Sequence, residues 1–307
     1  MNRALKIYLE KEGYVLFEDR VEHVFSLSYK GRIARSPTRY NVGIVCALPL
    51  ELLAVWGLFD LMHKDDDRMA IHSDDSNHYA LGEMDKHKVA AACLPDGKYG
   101  TNPAADVAAN MRRTFPSVKF ALLVGIGGGV PSLTNDIRLG DVVASRPTGI
   151  IPGVIQYDMG RVQENGTFTQ AGFLHAPPRL IMTTLSKLRS DPSLPATPLQ
   201  EHLDESIVCR REYRYPGKDR DKLFSSEYLE SRAHRPDSND NHHPCIHYGT
   251  IASGNRVVRD AKMRDFWGKQ SNILCFEMEA VGIMDTIPCL VIRGICDYSD
   301  SHKNKRL

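Results

Sequence analysis

Residues 290–297 have the sequence Leu-Val-Ile-Arg-Gly-Ile-Cys-Asp, and residues 275–280 have the sequence Cys-Phe-Glu-Met-Glu-Ala. Each run has the pattern of a short buried strand that ends in acidic residues. Carboxylates in an apolar setting are costly unless a charged or hydrogen-bonding group meets them. In open α/β folds, ligands bind at the edge formed by the carboxyl ends of the strands. The two runs therefore predict an α/β fold with a polar site at this edge of its sheet.

Other apolar runs predict further strands of the same sheet. They lie at residues 42–47, 79–83, 88–94, 120–124, 141–144 and 246–252. Helical patterns alternate with them, one at about residues 50–59 and one from Asn102 to about Arg113, where Pro103 suits the first helical turn. Strands that alternate with helices are typical of a mainly parallel sheet in a three-layer α/β/α arrangement.

The chain divides into one large domain and two less regular parts. Residues 1–39 show no clear period and are predicted to be an N-terminal extension of uncertain fold, whereas residues 40–307 form the main domain. Within that domain, residues at about 190–245 are dense in Pro, Ser, Asp and Asn. Such a composition predicts an insertion of helix and loop.

Composition excludes several functional classes. With 307 residues, 42% of them hydrophobic, the chain can bury a substantial core. Its net charge of +1 gives no long-range field to attract phosphates, so nucleic acid is not an expected partner. No apolar run predicts a signal peptide or a membrane span. The seven cysteines are spread along the chain, which is typical of reduced residues in a cytoplasmic protein.

The glycine run at residues 125–129 follows a predicted strand but matches no nucleotide motif. It lacks the Lys-Ser/Thr of a P-loop, and Val130 stands where a dinucleotide fingerprint requires Gly or Ala. A dinucleotide-dependent oxidoreductase is therefore disfavoured. The run is either a backbone loop that comes close to a ligand or a simple tight turn, and the segment alone does not decide between them.

Four charged residues lie at the predicted sheet edge. Glu51 falls in the first turn of a helix, where an acidic residue is also expected for electrostatic reasons alone. Glu277 and Glu279 cannot both be buried unpaired, and Arg293 within an apolar strand is their counter-ion candidate. A structural pair between Arg293 and Glu277 leaves Glu279 free to accept hydrogen bonds from vicinal hydroxyls.

A group of potential metal ligands lies at residues 242–247, with the sequence His-His-Pro-Cys-Ile-His. No second Cys or His pair stands at zinc-finger spacing, and a strand-like pattern begins within the group. We therefore expect a surface loop that enters a strand, and no metal site.

Five motifs in order resemble the purine and uridine phosphorylase and nucleosidase superfamily. They are Val42–Glu51, Val124–Pro131, Arg138–Val143, Phe276–Ala280 and Gly294–Asp300. The likeness covers about residues 41–306, and it is greatest to a fungal branch often found as the N-terminal module of NLR-like receptors. The resemblance implies a three-layer α/β/α sandwich with a mixed, partly closed sheet. It also implies cleavage of the ribosyl N-glycosidic bond of a purine nucleoside, without a cofactor, by a homo-oligomer.

The same resemblance assigns roles to individual residues. Asp297 matches the acid that protonates the departing purine, and Glu279 with Met278 matches the pair that binds the ribose. The base pocket is expected to be lined by Val257, Val258, Gly127 and Gly128. An aromatic residue that often stacks on the base is missing from the segment at 257–258.

The nucleophile is expected to be water. Where related bacterial phosphorylases have an Arg and a Ser for phosphate, this chain has Leu123 and Ile126, which can neither pair with a charge nor donate a side-chain hydrogen bond. Glu51 matches the glutamate that activates water in nucleosidases. Phosphorolysis, with phosphate as co-substrate bound by Lys98, Arg112 or a neighbouring subunit, stays open as an alternative.

A second alternative is a nucleoside-sensing module that keeps the pocket and has lost the chemistry. The chain ends ten residues after Asp297, where relatives continue into a helix, so a shortened C-terminal helix is expected to loosen the wall behind Asp297. The intact set of Asp297, Glu279 and Glu51 favours an enzyme.

Overall fold

A computed structural model describes residues 36–63, 71–190, 221–224, 229–231 and 244–301. The predicted extension at residues 1–39 and the predicted insertion at about 190–245 lie largely outside these residues. The last six residues (302–307), which bear on the predicted shortened helix, lie outside them entirely.

The described residues form strands and helices that alternate along most of the chain. The strands are β1 (Val42–Cys46), β2 (Leu61–His63), β3 (Tyr79–Met84), β4 (His87–Cys93), β5 (Phe120–Gly129), β6 (Val142–Ser145), β7 (Val154–Gln156), β8 (Gly160–Val162), β9 (Phe168–Gln170), β10 (Lys222–Phe224), β11 (Leu229–Ser231), β12 (Ile246–Ser253), β13 (Ile273–Glu277) and β14 (Cys289–Asp297). The α-helices are α1 (Pro49–Trp56), α2 (Thr101–Thr114), α3 (Arg179–Ser190), α4 (Ala261–Ser271) and α5 (Ala280–Met284).

One mixed sheet contains most of the strands. Its order is β13-β12-β6-β14-β5-β1-β4-β3-β2, and β7 pairs with β12. The central strands β14, β5, β1 and β4 run parallel, whereas β3 and β2 continue the sheet antiparallel. Strands β3 and β4 form a hairpin that turns at Asp85, which has a positive φ of 52°.

Helices cover both faces of this sheet because its central strands are apolar on both sides. All five residues of β1 are buried. Val45 belongs to the cluster that includes Ala108 and Met111 of α2, whereas Ile44 belongs to the cluster that includes Val55 of α1. Strand residues alternate between faces, so β1 separates two apolar layers. The predicted three-layer α/β/α fold class is confirmed.

The sheet closes partly on itself at the end of β5. Strand β13 pairs antiparallel with β5 through Cys275 opposite Gly129 and Phe276 opposite Gly128. Strand β14 pairs with β5 on its other edge, over almost the whole length of both strands. The residues that end β13 and β14 are thereby brought to the same stretch of β5.

The prediction that the glycines at 125–129 form a loop or a tight turn is wrong. They continue β5 in extended form, and none of them has a positive φ. Pairing with β14 and β13 on both edges holds the backbone extended here, despite the low strand propensity of Gly. Side chains of this protein lie close to the glycines, and an approach to a ligand stays a prediction.

The helices have bounds close to those predicted. Helix α1 ends at Trp56, about three residues before the predicted end, and α2 agrees within one residue. Helices α2 and α5 touch at Gly282, where a Cβ atom would lie 3.0 Å from Ala105 N and would clash with Thr101 O. Within the described ranges, no helix combines the length and the apolar character that a membrane span needs.

Candidate active site

Glu51 is fixed by backbone N–H groups from two parts of the fold. At the third position of α1, its Oε2 accepts hydrogen bonds from Ala47 N at 2.7 Å and Leu48 N at 2.9 Å. Its Oε1 accepts one from Ile126 N in β5 at 2.8 Å. A carboxylate has about four acceptor positions. One position therefore remains for a ligand on this buried side chain.

Arg293 is fully buried and contacts two carboxylates. Its Nη2 donates to Glu277 Oε2 and, at 3.1 Å, to Glu279 Oε2. Glu277 also accepts hydrogen bonds from the backbone N–H groups of Glu279 and Ala280. Glu277 thus fixes both Arg293 and the start of α5, and Glu279 follows directly from that turn.

Glu279 has a second partner that sequence analysis missed. Its Oε1 accepts a hydrogen bond from Gly100 N at 3.2 Å, and Gly100 adopts a φ of 99° that favours glycine. Asn255 Oδ1 holds the next residue by accepting from Thr101 N at 2.9 Å. The only sequence signal was local, because a Gly before the start of α2 is a common helix boundary and does not reveal a partner 179 residues away.

Glu51 and Arg293 meet above Gly125. A Cβ atom on Gly125 would lie 2.5 Å from Glu51 Oε1 and would also clash with Arg293 Nη1. Of the described side chains, Arg293 is one of two with a buried nitrogen, here Nε, that lacks a hydrogen-bond partner. The absence of a side chain at Gly125 therefore creates the space in which these two charged groups converge.

The site has more negative than positive buried charge. Burial raises the pKa of Glu279 above its usual value, Arg293 opposes the shift, and the charges of Glu277 and Glu51 add to it. Burial by itself would lower the pKa of Arg293, but the three carboxylates outweigh it and raise that pKa. An environment of this sign stabilises positive charge on a ligand and disfavours a bound dianion.

Asp297 lies in β14, further along the edge that this strand shares with the glycines of β5. It ends β14 and is half-buried, and its Oδ1 accepts a hydrogen bond from Ser299 N at 2.7 Å. Arg293 pairs with Gly125 and Asp297 pairs with Gly128, where a Cβ atom would lie 2.9 Å from Asp297 Oδ1. Because a strand rises about 3.3 Å per residue, Gly125 and Gly128 are about 10 Å apart. Asp297 thus lies three β5 residues beyond the position of Arg293, and its membership of the same site as Glu51 and Glu279 stays a prediction.

The residues predicted to line the base pocket differ in exposure. Val257 is half-exposed, whereas Val258 is buried in a cluster with Tyr157, Trp267 and Phe276. Gly127 lies between Gly125 and Gly128 on β5, and a Cβ atom there would meet Phe276 O and Arg293 Cβ. Met278 is half-buried between Glu277 and Glu279. The roles of these residues in ligand binding stay predictions.

The histidine group at 242–247 is described only in part. His242 and His243 lie outside the described residues. His247 Nε2 contacts the buried Asp141 carboxylate at 2.9 Å, and Asp141 also accepts from Cys245 N at 2.9 Å. These contacts tie the start of β12 to β6.

Comparison with solved structures identifies the fold. Futalosine hydrolase of Helicobacter pylori superposes with a TM-score of 0.55 at 14% identity, covering 87% of this chain and 90% of that one. A putative 5′-methylthioadenosine/S-adenosylhomocysteine nucleosidase from Francisella philomiragia gives 0.53 at 16% identity, covering 87% and 89%. The chain shares its fold with these nucleosidase and hydrolase structures. The recognition made from the five motifs is therefore confirmed.

Sequence comparison adds two relatives of this chain. An NLR-like protein of Hyaloscypha variabilis is 41% identical over 288 residues, which is 90% of this chain and 28% of that protein. The ATP nucleosidase Cap17 of Escherichia coli is 24% identical over 271 residues, which is 86% of this chain and 47% of that protein. The chain thus spans less than half the length of these relatives. No family model matches the sequence.

Proposed function

We propose that the chain hydrolyses the ribosyl N-glycosidic bond of a purine nucleoside or nucleotide. The observation that carries this proposal is the convergence of Glu51 and Arg293 above Gly125, next to Glu279. A carboxylate with an open acceptor position beside a buried cation is a suitable place to hold and deprotonate a water molecule. General N-glycosidic hydrolysis is supported by the nucleosidase and hydrolase relatives.

Each reacting group has a separate role in the proposed mechanism. Glu279 accepts hydrogen bonds from the ribose 2′ and 3′ hydroxyls, and its charge stabilises the positive charge that develops on the ribosyl ring. The C1′–N bond breaks with its electron pair passing to the base, and Asp297 donates a proton to N7. Water attacks C1′ and gives its proton to Glu51. Proton exchange with solvent then restores Glu51 and Asp297.

Charge and position favour water over phosphate. The carboxylates of Glu51, Glu277 and Glu279 outnumber the guanidinium of Arg293, so a phosphate dianion would be repelled. Arg112 lies twelve residues after Gly100 on α2, which corresponds to about 18 Å along the helix axis. Its Nη1 already donates to Thr286 O at 2.8 Å. Arg112 is therefore a poor candidate for a phosphate ligand within this chain.

The experiment is a product assay with and without phosphate. Purified protein is given adenosine, inosine, 5′-methylthioadenosine and ATP, the last because one relative is named an ATP nucleosidase. We expect release of free base together with a hydrolysed sugar, at the same rate in both buffers. Glu51→Gln serves as the control and should lower the rate of release about 10²- to 10⁴-fold. Base release that requires phosphate and yields a sugar 1-phosphate would establish phosphorolysis instead.

A nucleoside-sensing module is the second candidate. It is favoured by the match to an NLR-like protein of which the chain spans only 28%, because such a protein has other parts that a ligand-bound domain could control. Saturable binding of a nucleoside without turnover, unchanged by Asp297→Asn, would support it. The complete set of Glu51, Glu279 and Asp297 supports the enzyme.

We also propose a cytoplasmic homo-oligomer that needs neither cofactor nor metal, as the superfamily resemblance implies. Sedimentation of the purified chain tests the oligomer, and activity after dialysis against a chelator tests the metal requirement. A monomer with full activity would refute the first, and loss of activity restored by a divalent cation would refute the second.

A further inference from the structure

The three residues that follow Asp297 are polar or amphipathic, yet all are buried. Tyr298 is 3% exposed, Ser299 1% and Asp300 3%. We propose that Tyr298 and Asp221 are positioning residues, whose contact holds Asp297 in the orientation that protonates the leaving base. The proposal rests on the acid role of Asp297 in the proposed function.

Ser299 connects this buried segment to the acid. Its N–H donates to Asp297 Oδ1 at 2.7 Å, and Asp297 Oδ2 accepts from Cys296 Sγ at 3.5 Å. Ser299 has a φ of 53°, a left-handed conformation that is unfavourable for a residue with a Cβ. Such a conformation persists only when the surroundings enforce it. The orientation of Asp297 therefore depends on contacts made by the neighbours of Ser299.

Tyr298 precedes Ser299, and its hydroxyl group takes part in two hydrogen bonds. The hydroxyl donates to the carboxylate of Asp221 and accepts from Leu139 N at 3.2 Å. Leu139 is itself tied to β14, because the next residue, Gly140, donates its N–H to Ile295 O at 2.8 Å. Rotation of the Tyr298 side chain about its Cα–Cβ bond would move the hydroxyl and break two buried hydrogen bonds. Tyr298 thus has one favourable orientation.

Asp221 belongs to a part of the chain that is remote in sequence from the acid. It lies at 8% exposure directly before β10 and within the predicted insertion. Phe224, at the end of β10, donates its N–H to Asp300 Oδ2 at 3.4 Å. Residues 221–224 therefore contact the segment after Asp297 at two points, which places part of the insertion directly behind the acid.

Arg264 holds the same segment from α4. Its Nη1 donates to Tyr298 O at 3.1 Å and lies 3.8 Å from Asp300 Oδ2, and the side chain is buried. Helix α4 follows the segment with Val257 and Val258 that is predicted to line the base pocket. Arg264 thereby connects the segment after Asp297 to the helix that follows the predicted base-pocket segment.

The test compares two buried tyrosines. Tyr298→Phe removes the hydroxyl next to Asp297 in sequence. The control Tyr40→Phe removes a hydroxyl that contacts His63 Nδ1 at 2.8 Å, and Tyr40 lies before the start of β1, whereas Glu51 follows its end. The substrates are inosine and 7-methylinosine, because the methylated base already carries a positive charge and leaves without protonation at N7.

We expect Tyr298→Phe to lower kcat for inosine about ten- to hundredfold, as displacement of a catalytic group does, with KM little changed. The same variant should lower kcat for 7-methylinosine much less, and Tyr40→Phe should leave both near wild type. Asp221→Asn should show the same difference between the two substrates, with a smaller loss. If Tyr298→Phe does not fold, Asp221→Asn takes its place in the test. Equal losses for both substrates, or equal effects of the two tyrosine variants, would overturn the proposal.

Failure of the proposed function is recognised separately. A wild-type protein that cleaves neither substrate refutes the enzyme, and amide hydrogen exchange of the peptide containing residues 297–301 then decides the structural part. Faster exchange in Tyr298→Phe than in Tyr40→Phe, at matched thermal stability, would support a holding role for Tyr298. Equal exchange would refute it.

Discussion

Replacement of Gly125 by Ala tests the site more directly than removal of any charged group. The variant keeps every functional side chain and adds one methyl group where Glu51 and Arg293 converge. That methyl carbon would lie 2.5 Å from Glu51 Oε1 and 2.7 Å from Glu51 Cδ, with Arg293 Nη1 also in conflict. Both side chains are buried and hydrogen-bonded, so neither can swing into solvent.

The size of the effect follows from how far these distances fall below an ordinary contact distance. Ordinary contact between heavy atoms needs about 3.5 Å, so the Glu51 carboxylate must move by about 1 Å. Overpacking of this kind costs about 1–3 kcal/mol of folding stability. A displacement of about 1 Å at a catalytic group lowers the rate about 100-fold. We therefore expect Gly125→Ala to remain folded and to lose about 100-fold in kcat/KM.

The assay is base release from the best nucleoside substrate, measured together with thermal unfolding. Gly294→Ala is the matched control, because it adds the same methyl group one residue from Arg293 and would meet only Gly125 O, at 4.0 Å. This control should keep wild-type activity. Full activity of a folded Gly125→Ala protein would refute the reasoning, since it would show that the positions of Glu51 and Arg293 do not matter.

Three further substitutions address the charged groups. Asp297→Asn should lower kcat by about 10²- to 10⁴-fold, the usual contribution of a general acid, with nucleoside binding retained; unchanged turnover would exclude the acid role. Glu51→Gln should lower kcat by a similar factor of about 10²–10⁴ without rescue by phosphate; rescue would indicate a second nucleophile. The pKa of Glu279 is raised above 4.5, chiefly by burial, so nucleoside binding should weaken as pH falls through that raised value. Glu279→Gln should remove this pH dependence from KM. Since a raised folded pKa contributes stability that is lost as pH rises through it, the variant should also gain unfolding free energy relative to wild type as pH rises from 4.5 through that raised value.

Much of the fold was predictable because its signals are local. The apolar run of β1 is buried on both faces, and Pro49 and Glu51 fit the first turn of a helix, so strand and helix could be placed from neighbouring residues. Asp85 turns a hairpin whose strands have the expected apolar pattern. These elements depend on interactions between residues close in sequence, which a pattern can represent.

The glycine run shows where local signals fail. Gly has low strand propensity, so residues 125–129 favour a turn when taken alone. In the fold they are extended, since β14 and β13 pair with both edges of β5 and two charged side chains occupy the space above Gly125. Only the three-dimensional arrangement shows that the missing side chain, and no unusual φ, is what the site requires.

The partners of the acidic residues could not be predicted for the same reason. Glu279 pairs with Gly100 across 179 residues, and Tyr298 with Asp221 across 77. Neither Gly100 nor Asp221 has a sequence context that distinguishes it from an ordinary helix boundary or loop residue. Contacts between residues so far apart in sequence depend on the topology of the sheet. The pattern of strands in the sequence limits the possible topologies but does not select one.

Buried charge in this site is better explained by function than by stability. An ion pair removed from water loses about as much in desolvation as it gains in attraction, so Arg293 between Glu277 and Glu279 contributes little to folding. Glu51 adds a third carboxylate, so the buried groups have more negative than positive charge. Such an excess is costly to bury in an apolar core, and we therefore infer that it serves a function. Positive charge developing on a ribosyl ring would relieve that excess in the transition state more than in the ground state. Differential stabilisation of this kind is what accelerates a reaction.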